Sequence, residues 1–300
     1  MKWLRLLFVV IFLFPSWIAV HPVNAHPGAW FLHTRDTPLA AFTVSFISVG
    51  QGDAILVRDG NGFDVLVDGG RPSAGAIVLA YLRQVGVDDL EAVLATHADQ
   101  DHVGGLIDVL SADDIPVESA FYNGYPGDTQ TWTQFVEAVA AEGLTLLPAQ
   151  YPQTLTWGGI SAQVLNPVSN LPTPEQNEAS VVLSLAIGQV NLLLTADISA
   201  QTESELLARG LSLQAEVLKV AHHGSQYSSS LDFLNAVGPA EAIISVGENS
   251  YGHPAPETMQ RLTSVGARLW RTDFSGTVVV TSDGFSYSLT PRLNYLPLIR

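Results

Sequence analysis

The chain has 300 residues, of which 47% are hydrophobic and 14% charged, enough apolar material to bury one core of catalytic size. It contains no cysteine, which excludes a disulfide framework and thiolate metal sites and leaves only histidine and carboxylate to hold a metal. A formal charge of −16 without a Lys/Arg cluster disfavours binding of duplex nucleic acid through a basic surface.

Residues 1–25, MKWLRLLFVVIFLFPSWIAVHPVNA, carry Lys2 and Arg5, an apolar stretch from Leu6 to Phe14, a break at Pro15 and permissive residues at Val23 and Ala25. That is the pattern of a secretory signal peptide cleaved after Ala25, and the alternative, a retained N-terminal anchor, exports the body equally. No later stretch approaches the roughly 20 apolar residues of a membrane span, so no membrane domain is expected beyond the leader. Residues 26–40 read as an irregular lead whose His26 and His33 receive no function.

From Ala41 short apolar runs alternate with turn signals. FTVSFISV, DAILV and FDVLVD read as strands, the last two joined by the hairpin chemistry of RDGNG; AGAIVLAYLRQVG reads as a helix ending at Gly86. EAVLA is a short buried strand, VGGLIDVL starts a helix, and a strand near VESAF, a helix near TWTQFVEAVAAEG and a strand at LTLLP complete the first half. The second half repeats the plan. LTWGG, ISAQVLN, SVVLSLAI and VNLLLTAD are strands, AQTESELLARG a helix and AEVLKVA a buried strand; SLDFLNAVG and PETMQRLTSVG are helices around the strand AEAIISV, and ARLWRT, TVVVTS and FSYSLT close the chain. Two sheet-forming halves flanked by helices predict an α/β sandwich of two sheets between helices over residues 41–290, followed by a C-terminal tail at 291–300.

The chemistry concentrates at strand ends. THADQDHVGG places His97, Asp99, Asp101 and His102 in the turn after EAVLA, and H-x-D-x-D-H spacing can converge on two nearby cations. VNLLLTAD ends in Asp197, which alone reads as a helix cap, and AEVLKVAHHGS ends in His222 and His223, adjacent residues that point different ways from an extended chain. GQGD at 50–53 is read as a sharp turn between strands, since it lacks the glycines and lysine of a phosphate loop, and Asp68 in VLVDGG either orients a ligand or caps a turn. Lys219, in a buried strand, needs a carboxylate partner. His253 in NSYGHP and the run Arg271, Thr272, Asp273 follow strands that end near the same edge, and either line a substrate pocket or serve the structure.

The order His-Asp-Asp-His, Asp, His resembles the metallo-β-lactamase superfamily, whose fold is an αββα sandwich with a dinuclear site at one edge. More narrowly, VGQGDAILV, VLVDGG, THADQDHVGGL, NEAS, LLLTAD, LKVAHHGSQYSS, SVGENSYGHP and RTDFSGTVVV stand in the order found in the hydrolase domain of ComEC-type competence proteins and their stand-alone relatives. The resemblance implies that His97 and Asp99 hold one metal, that Asp101 and His102 hold the second, that Asp197 bridges them, and that His222 is a further ligand. Asp99 stands where most of the superfamily has histidine, and no histidine lies between His102 and His222; the ComEC-type branch shares both departures, with Asn177 and Ser180 in that region. So oxygen-rich a set shifts preference toward Mn over Zn, with one or two divalent ions bound.

The reaction expected is metal-assisted hydrolysis, with Asp101 orienting water and His223 or His253 assisting the leaving group. The resemblance points to an anionic phosphodiester, with single-stranded or short nucleic acid as one candidate. Two rivals are another cell-envelope ester and a non-catalytic secreted binding protein that keeps the fold.

Overall fold

A computed structural model describes residues 41–171 and 175–292. The expected leader, its cleavage point and the irregular lead lie outside the described residues, as does the tail from residue 293 onward. The first half runs β1 (Phe42–Phe46), β2 (Ile55–Arg58), β3 (Asp64–Val67), α1 (Gly75–Gln84), β4 (Ala92–Ala95), α2 (Gln100–Val103), α3 (Leu106–Leu110), β5 (Ala120–Tyr122), α4 (Gln130–Ala141) and β6 (Leu146–Pro148). The second continues with β7 (Thr154–Trp157), β8 (Ile160–Asn166), β9 (Val182–Ile187), β10 (Val190–Leu194), α5 (Ala200–Ala208), β11 (Val217–Lys219), α6 (Leu231–Val237), β12 (Glu241–Ile244) and α7 (Pro256–Ser264). It ends with β13 (Arg268–Arg271), α8 (Thr272–Ser275), β14 (Thr277–Ser282) and β15 (Tyr287–Arg292).

An eight-stranded sheet has the order β15-β14-β1-β2-β3-β4-β5-β6, and a seven-stranded sheet the order β13-β12-β11-β10-β9-β8-β7. Strand periodicity explains why two sheets stack and still carry helices outside. On β2, Ile55 and Val57 face the cluster between the sheets while Leu56 faces the cluster under the helices. Val44, Phe46, Leu94, Leu183, Leu185 and Leu192 fill the layer between the sheets. Leu66, Val78, Leu82, Val109 and Phe135 pack α1, α3 and α4 on one outer face. Leu193, Leu206, Leu218, Leu234 and Leu262 pack α5, α6 and α7 on the other. Each fully buried Leu or Phe in these layers contributes about 1.5–3 kcal/mol. The result is the αββα sandwich expected from the sequence.

Two local outcomes differ from the sequence reading. The helix expected over VGGLIDVL is interrupted at Gly104 and Gly105, positions that only glycine can fill, since a Cβ on Gly105 would lie 2.0 Å from Gly69 O and one on Gly104 2.3 Å from Pro72. That close approach seats the THADQDH turn against the loop carrying Asp68. The stretch expected as a strand through ARLWRT stops at Arg271, and Thr272 turns into α8.

The site follows from topology. Strands β3 to β6 run parallel, as do β10 to β13, and their C-terminal ends carry the polar turns. In open α/β sheets that edge is where ligands bind.

Candidate metal centre

The ends of β3, β10 and β11 are closed by residues in an unfavourable backbone region. Asp68 (φ 58°), Ala196 (φ 44°), His222 (φ 48°) and His223 (φ 54°) are left-handed although none is glycine. Such conformations cost of order 1–3 kcal/mol each and persist only where the surroundings fix them. The fixing bonds are visible: His222 N donates to Ala196 O (2.9 Å), Asp68 N to Leu94 O (2.9 Å), and Gly69 N to His102 O (2.7 Å). The turns after β10 and β11 are thereby tied to each other, and the turn after β3 to the THADQDH turn after β4.

The interior of this junction is built from imidazole and carboxylate. His102, fully buried, has its Nδ1 2.8 Å from Asp68 Oδ2, and Asp68 also accepts from Thr96 N (2.8 Å) and Thr96 Oγ1 (2.7 Å). Asp68 therefore both caps the turn and orients an imidazole. This leaves His102 Nε2 facing inward, 3.4 Å from Asp197 Oδ2. His223 repeats the device from the opposite sheet: its Nδ1 lies 2.9 Å from Ser245 O, which accepts its proton, and its Nε2 is 3.2 Å from Asp197 Oδ2 and 3.8 Å from Asp101 Oδ2. His97 Nε2 faces Asp99 Oδ2 at 3.6 Å, and the His97 and His102 rings lie 4.1 Å apart.

The decisive feature is what these groups lack. His97 Nε2, His102 Nε2, His223 Nε2, Asp197 Oδ1 and Asp53 Oδ1 are buried without a hydrogen-bond partner. Leaving so many buried polar atoms unsatisfied in one place costs about 1–3 kcal/mol apiece unless something joins them. Donor atoms within 4.8 Å of one another form overlapping sets: His97, His102 and Asp197; Asp101, His102 and His223; Asp53, Asp197 and His223; Asp53, Asp68 and His102. A divalent cation fits this donor chemistry.

Electrostatics agree. Burial pushes the His102 imidazole down, but Asp197 and Asp68 outweigh it and hold its pKa well above the usual 6.5. His223 is raised likewise, burial being outweighed by Asp197 and Asp53. Burial opposes the Asp197 charge, yet His223 and His102 drive its pKa well below the ordinary carboxylate value. Asp99 is lowered, chiefly by the His97 imidazole beside it. Protons on His102 and His223 here balance the acids that a cation would otherwise neutralise.

Among the residues singled out from sequence, His97, Asp101, His102, Asp197 and His223 converge. Asp99 sits beside His97 with a side chain 43% exposed. His222 approaches from the mouth: its Nε2 is 3.8 Å from Asp197 Oδ2, and its side chain is 29% exposed. Its pKa is lowered, chiefly by burial. His253 lies outside the donor sets and packs edge-on against His222, ring centroids 5.4 Å apart; burial together with His222 and His223 lowers its pKa. The segment holding Asn177 and Ser180 borders the cluster, since Val181 N donates to Thr96 O, Ala98 N to Gln176 Oε1 and Asp197 N to Ser180 Oγ. Asn177 Oδ1 is buried and unpartnered. Arg271 pairs with Asp273 (2.6 Å) and lies over Phe274, while Thr272 Oγ1 accepts from Val246 N and donates to Val246 O, tying the start of α8 to the turn after β12.

Asp53 escaped the sequence reading as a turn residue. It is fully buried, its Oδ2 is 2.7 Å from Lys219 Nζ, and its Oδ1 is 3.8 Å from His223 Nδ1. Burial raises its pKa, but Lys219, His223 and His102 outweigh that and lower it. The available signal was Lys219, a lysine in a buried strand that required a carboxylate. Gly52 permits the contact: at φ 131° a Cβ there would meet Asp101 O at 2.3 Å.

A sheet sandwich whose C-terminal strand ends gather histidines and aspartates into one buried, unsatisfied cluster defines a metal-dependent hydrolase fold, and the chain belongs to the metallo-beta-lactamase superfamily, whose family model matches residues 47–248. Among curated proteins it is similar to the competence protein ComA of Neisseria gonorrhoeae (31% identity, 89% of this chain, 36% of that protein) and to ComE operon protein 3 of Bacillus subtilis (29% identity, 78% of this chain, 32% of that protein). The chain thus spans about a third of the length of these relatives. Among solved structures, the metallo-beta-lactamase fold protein YhfI of Bacillus subtilis superposes with a TM-score of 0.55 at 15% identity, covering 80% of this chain and 100% of that one, which supports the fold alone.

Proposed function

We propose that the protein is an exported, metal-dependent phosphodiesterase whose first substrates to test are single-stranded or short nucleic acids. The observation that carries this reading is the set of buried, partnerless His97, His102 and His223 nitrogens facing the Asp197 carboxylate. One or two divalent ions held by these groups with Asp99 and Asp101 would supply Lewis acidity toward a phosphoryl oxygen and lower the pKa of a water from about 15.7 toward 7.

The protein's own groups do the rest. Asp68 and the Ser245 carbonyl hold the Nδ1 protons of His102 and His223, so both would present Nε2 lone pairs to a cation that displaces the protons there. Asp101, with a side chain 23% exposed, stands at the rim where its carboxylate can accept a hydrogen bond from the attacking water. His253 borders the mouth beside His222 and offers an N–H to the leaving oxygen. Oxygen-rich donors favour Mn over Zn. The competence-related relatives support nucleic acid as the substrate, and the acidic chain argues against tracking a duplex. Export rests on the residue 1–25 pattern; no helix among the described residues is long and apolar enough to cross a membrane.

The test is hydrolysis of bis(p-nitrophenyl) phosphate by the purified chain. Turnover with added Mn²⁺, its loss with chelator, and little turnover of a β-lactam are expected. A β-lactam cleaved faster than the diester under the same metal conditions would overturn the reading.

A further inference from the structure

We infer that the groove opening from the metal centre is a stacking subsite for one unpaired nucleobase adjoining the scissile phosphate, with Tyr227 and Tyr251 as its aromatic walls. The inference rests on the phosphodiesterase reading and names what flanks the phosphate. The groove has a volume of about 400 Å³ and is lined by His222, Tyr227, Tyr251 and His253, with Gln226 and Glu257 among the polar groups on its wall. That volume falls within the roughly 300–1,000 Å³ typical of small-molecule pockets. It begins at the centre itself, since His222 Nε2 is 3.8 Å from Asp197 Oδ2. A chain of rings then leads outward: His223 to His222 (6.2 Å), His222 to His253 (5.4 Å), and His253 to Tyr251 (5.7 Å, tilted 31°).

Tyr227 is 72% and Tyr251 68% exposed, among the most exposed large side chains described. Exposed rings alone would mean little, but the backbone beneath both is held firmly. Under Tyr227, Ala200 N donates to the Tyr227 carbonyl, and Arg261 donates to the carbonyls of Gln226, Ser228 and Ser229. Buried Glu203 accepts from Ser229 N and Ser230 N, and Thr258 Oγ1 donates to Ser225 O. Under Tyr251, the Asn249 side chain makes four bonds: it donates to Gly247 O and His253 O and accepts from Tyr251 N and His253 N. Two loops pinned by buried or bidentate side chains, each presenting a largely exposed tyrosine ring, are preorganised for a flat apolar ligand. A base has two π-faces and a polar edge, matching tyrosine and imidazole rings with an amide and a carboxylate nearby. A base paired in duplex keeps neither face nor edge available, which selects an unpaired one.

The test compares thymidine 5′-(p-nitrophenyl phosphate) with the same ester on an abasic deoxyribose, using the full chain loaded with Mn²⁺. Both release p-nitrophenol and differ only in the base. The parent protein is expected to show a KM about ten-fold lower for the base-bearing ester, the order expected of one base stacked on an aromatic ring. That preference should vanish in Y227A/Y251A and survive in Y227F/Y251F, because stacking needs the ring and not the hydroxyl. Equal KM values in the parent, or an undiminished preference in Y227A/Y251A, would overturn the subsite while leaving the phosphodiesterase intact. Absence of turnover with either ester would remove both.

Discussion

Replacing Lys219 by methionine isolates the buried ion pair beneath the metal centre. Lys219 has no exposed surface, Asp53 is 1% exposed, and their charged atoms lie 2.7 Å apart. Removing one partner of so buried a pair leaves an uncompensated charge, a loss of about 3–5 kcal/mol. For a domain of this size each kcal/mol shifts the melting temperature by about 2–4 °C, so Lys219→Met should lower it by roughly 6–20 °C at pH 7. The sign with pH follows from Asp53, whose folded pKa lies below 3.8: its ionised form contributes stability above that value and loses it as pH falls. Without Lys219 the carboxylate is no longer favoured in its charged form, so the variant's deficit should shrink as the pH approaches 4.5. Lys219→Met combined with Asp53→Asn should recover part of the loss, because no lone charge remains. Calorimetry of chelator-treated protein measures all three. A single variant melting within about 2 °C of the parent at pH 7, or a double variant worse than the single, would refute the argument.

Asp68→Ala should weaken Mn²⁺ binding by about 10- to 100-fold, measured by titration calorimetry, because His102 loses the acceptor that fixes its ring. Asp101→Asn should abolish phosphodiester turnover while circular dichroism and melting stay close to the parent; retained turnover with unchanged metal content would remove Asp101 from the reaction. The metal-free protein should lose stability as pH rises above 6.5, since the raised pKa values of His102 and His223 stabilise the fold fully below 6.5 and progressively less as each is passed. Mn²⁺ addition should therefore release protons near pH 7 and flatten that decline, both readable by calorimetry in buffers of different ionisation enthalpy.

The sandwich was legible because its signals are local. Apolar runs of strand length ended at THADQDH, LLLTAD and KVAHHGS, and those three ends converge as the parallel topology requires. The two-sided burial of β4 likewise shows as the continuous apolar sequence AVLA. What sequence could not provide was depth. Either of two adjacent histidines could point inward, and only the left-handed backbone at both positions puts His223 against Asp197 and His222 at the mouth. Asp53 was hidden for another reason: it lies in a loop far along the chain from Lys219, and their contact exists only because Gly52 lets that loop press on the Asp101 backbone. Asp68 was read as either a ligand orienter or a turn cap, and it does both through its two oxygens.

The most direct measurement is metal content, by mass spectrometry of protein purified without added chelator, in the parent and in Asp197→Asn and His223→Ala. The parent should carry one or two equivalents of Mn or Zn, and both variants should lose most of it while remaining folded. A folded parent that binds no divalent metal, or variants that keep the full complement, would contradict the claim that these buried, partnerless side chains form a metal centre.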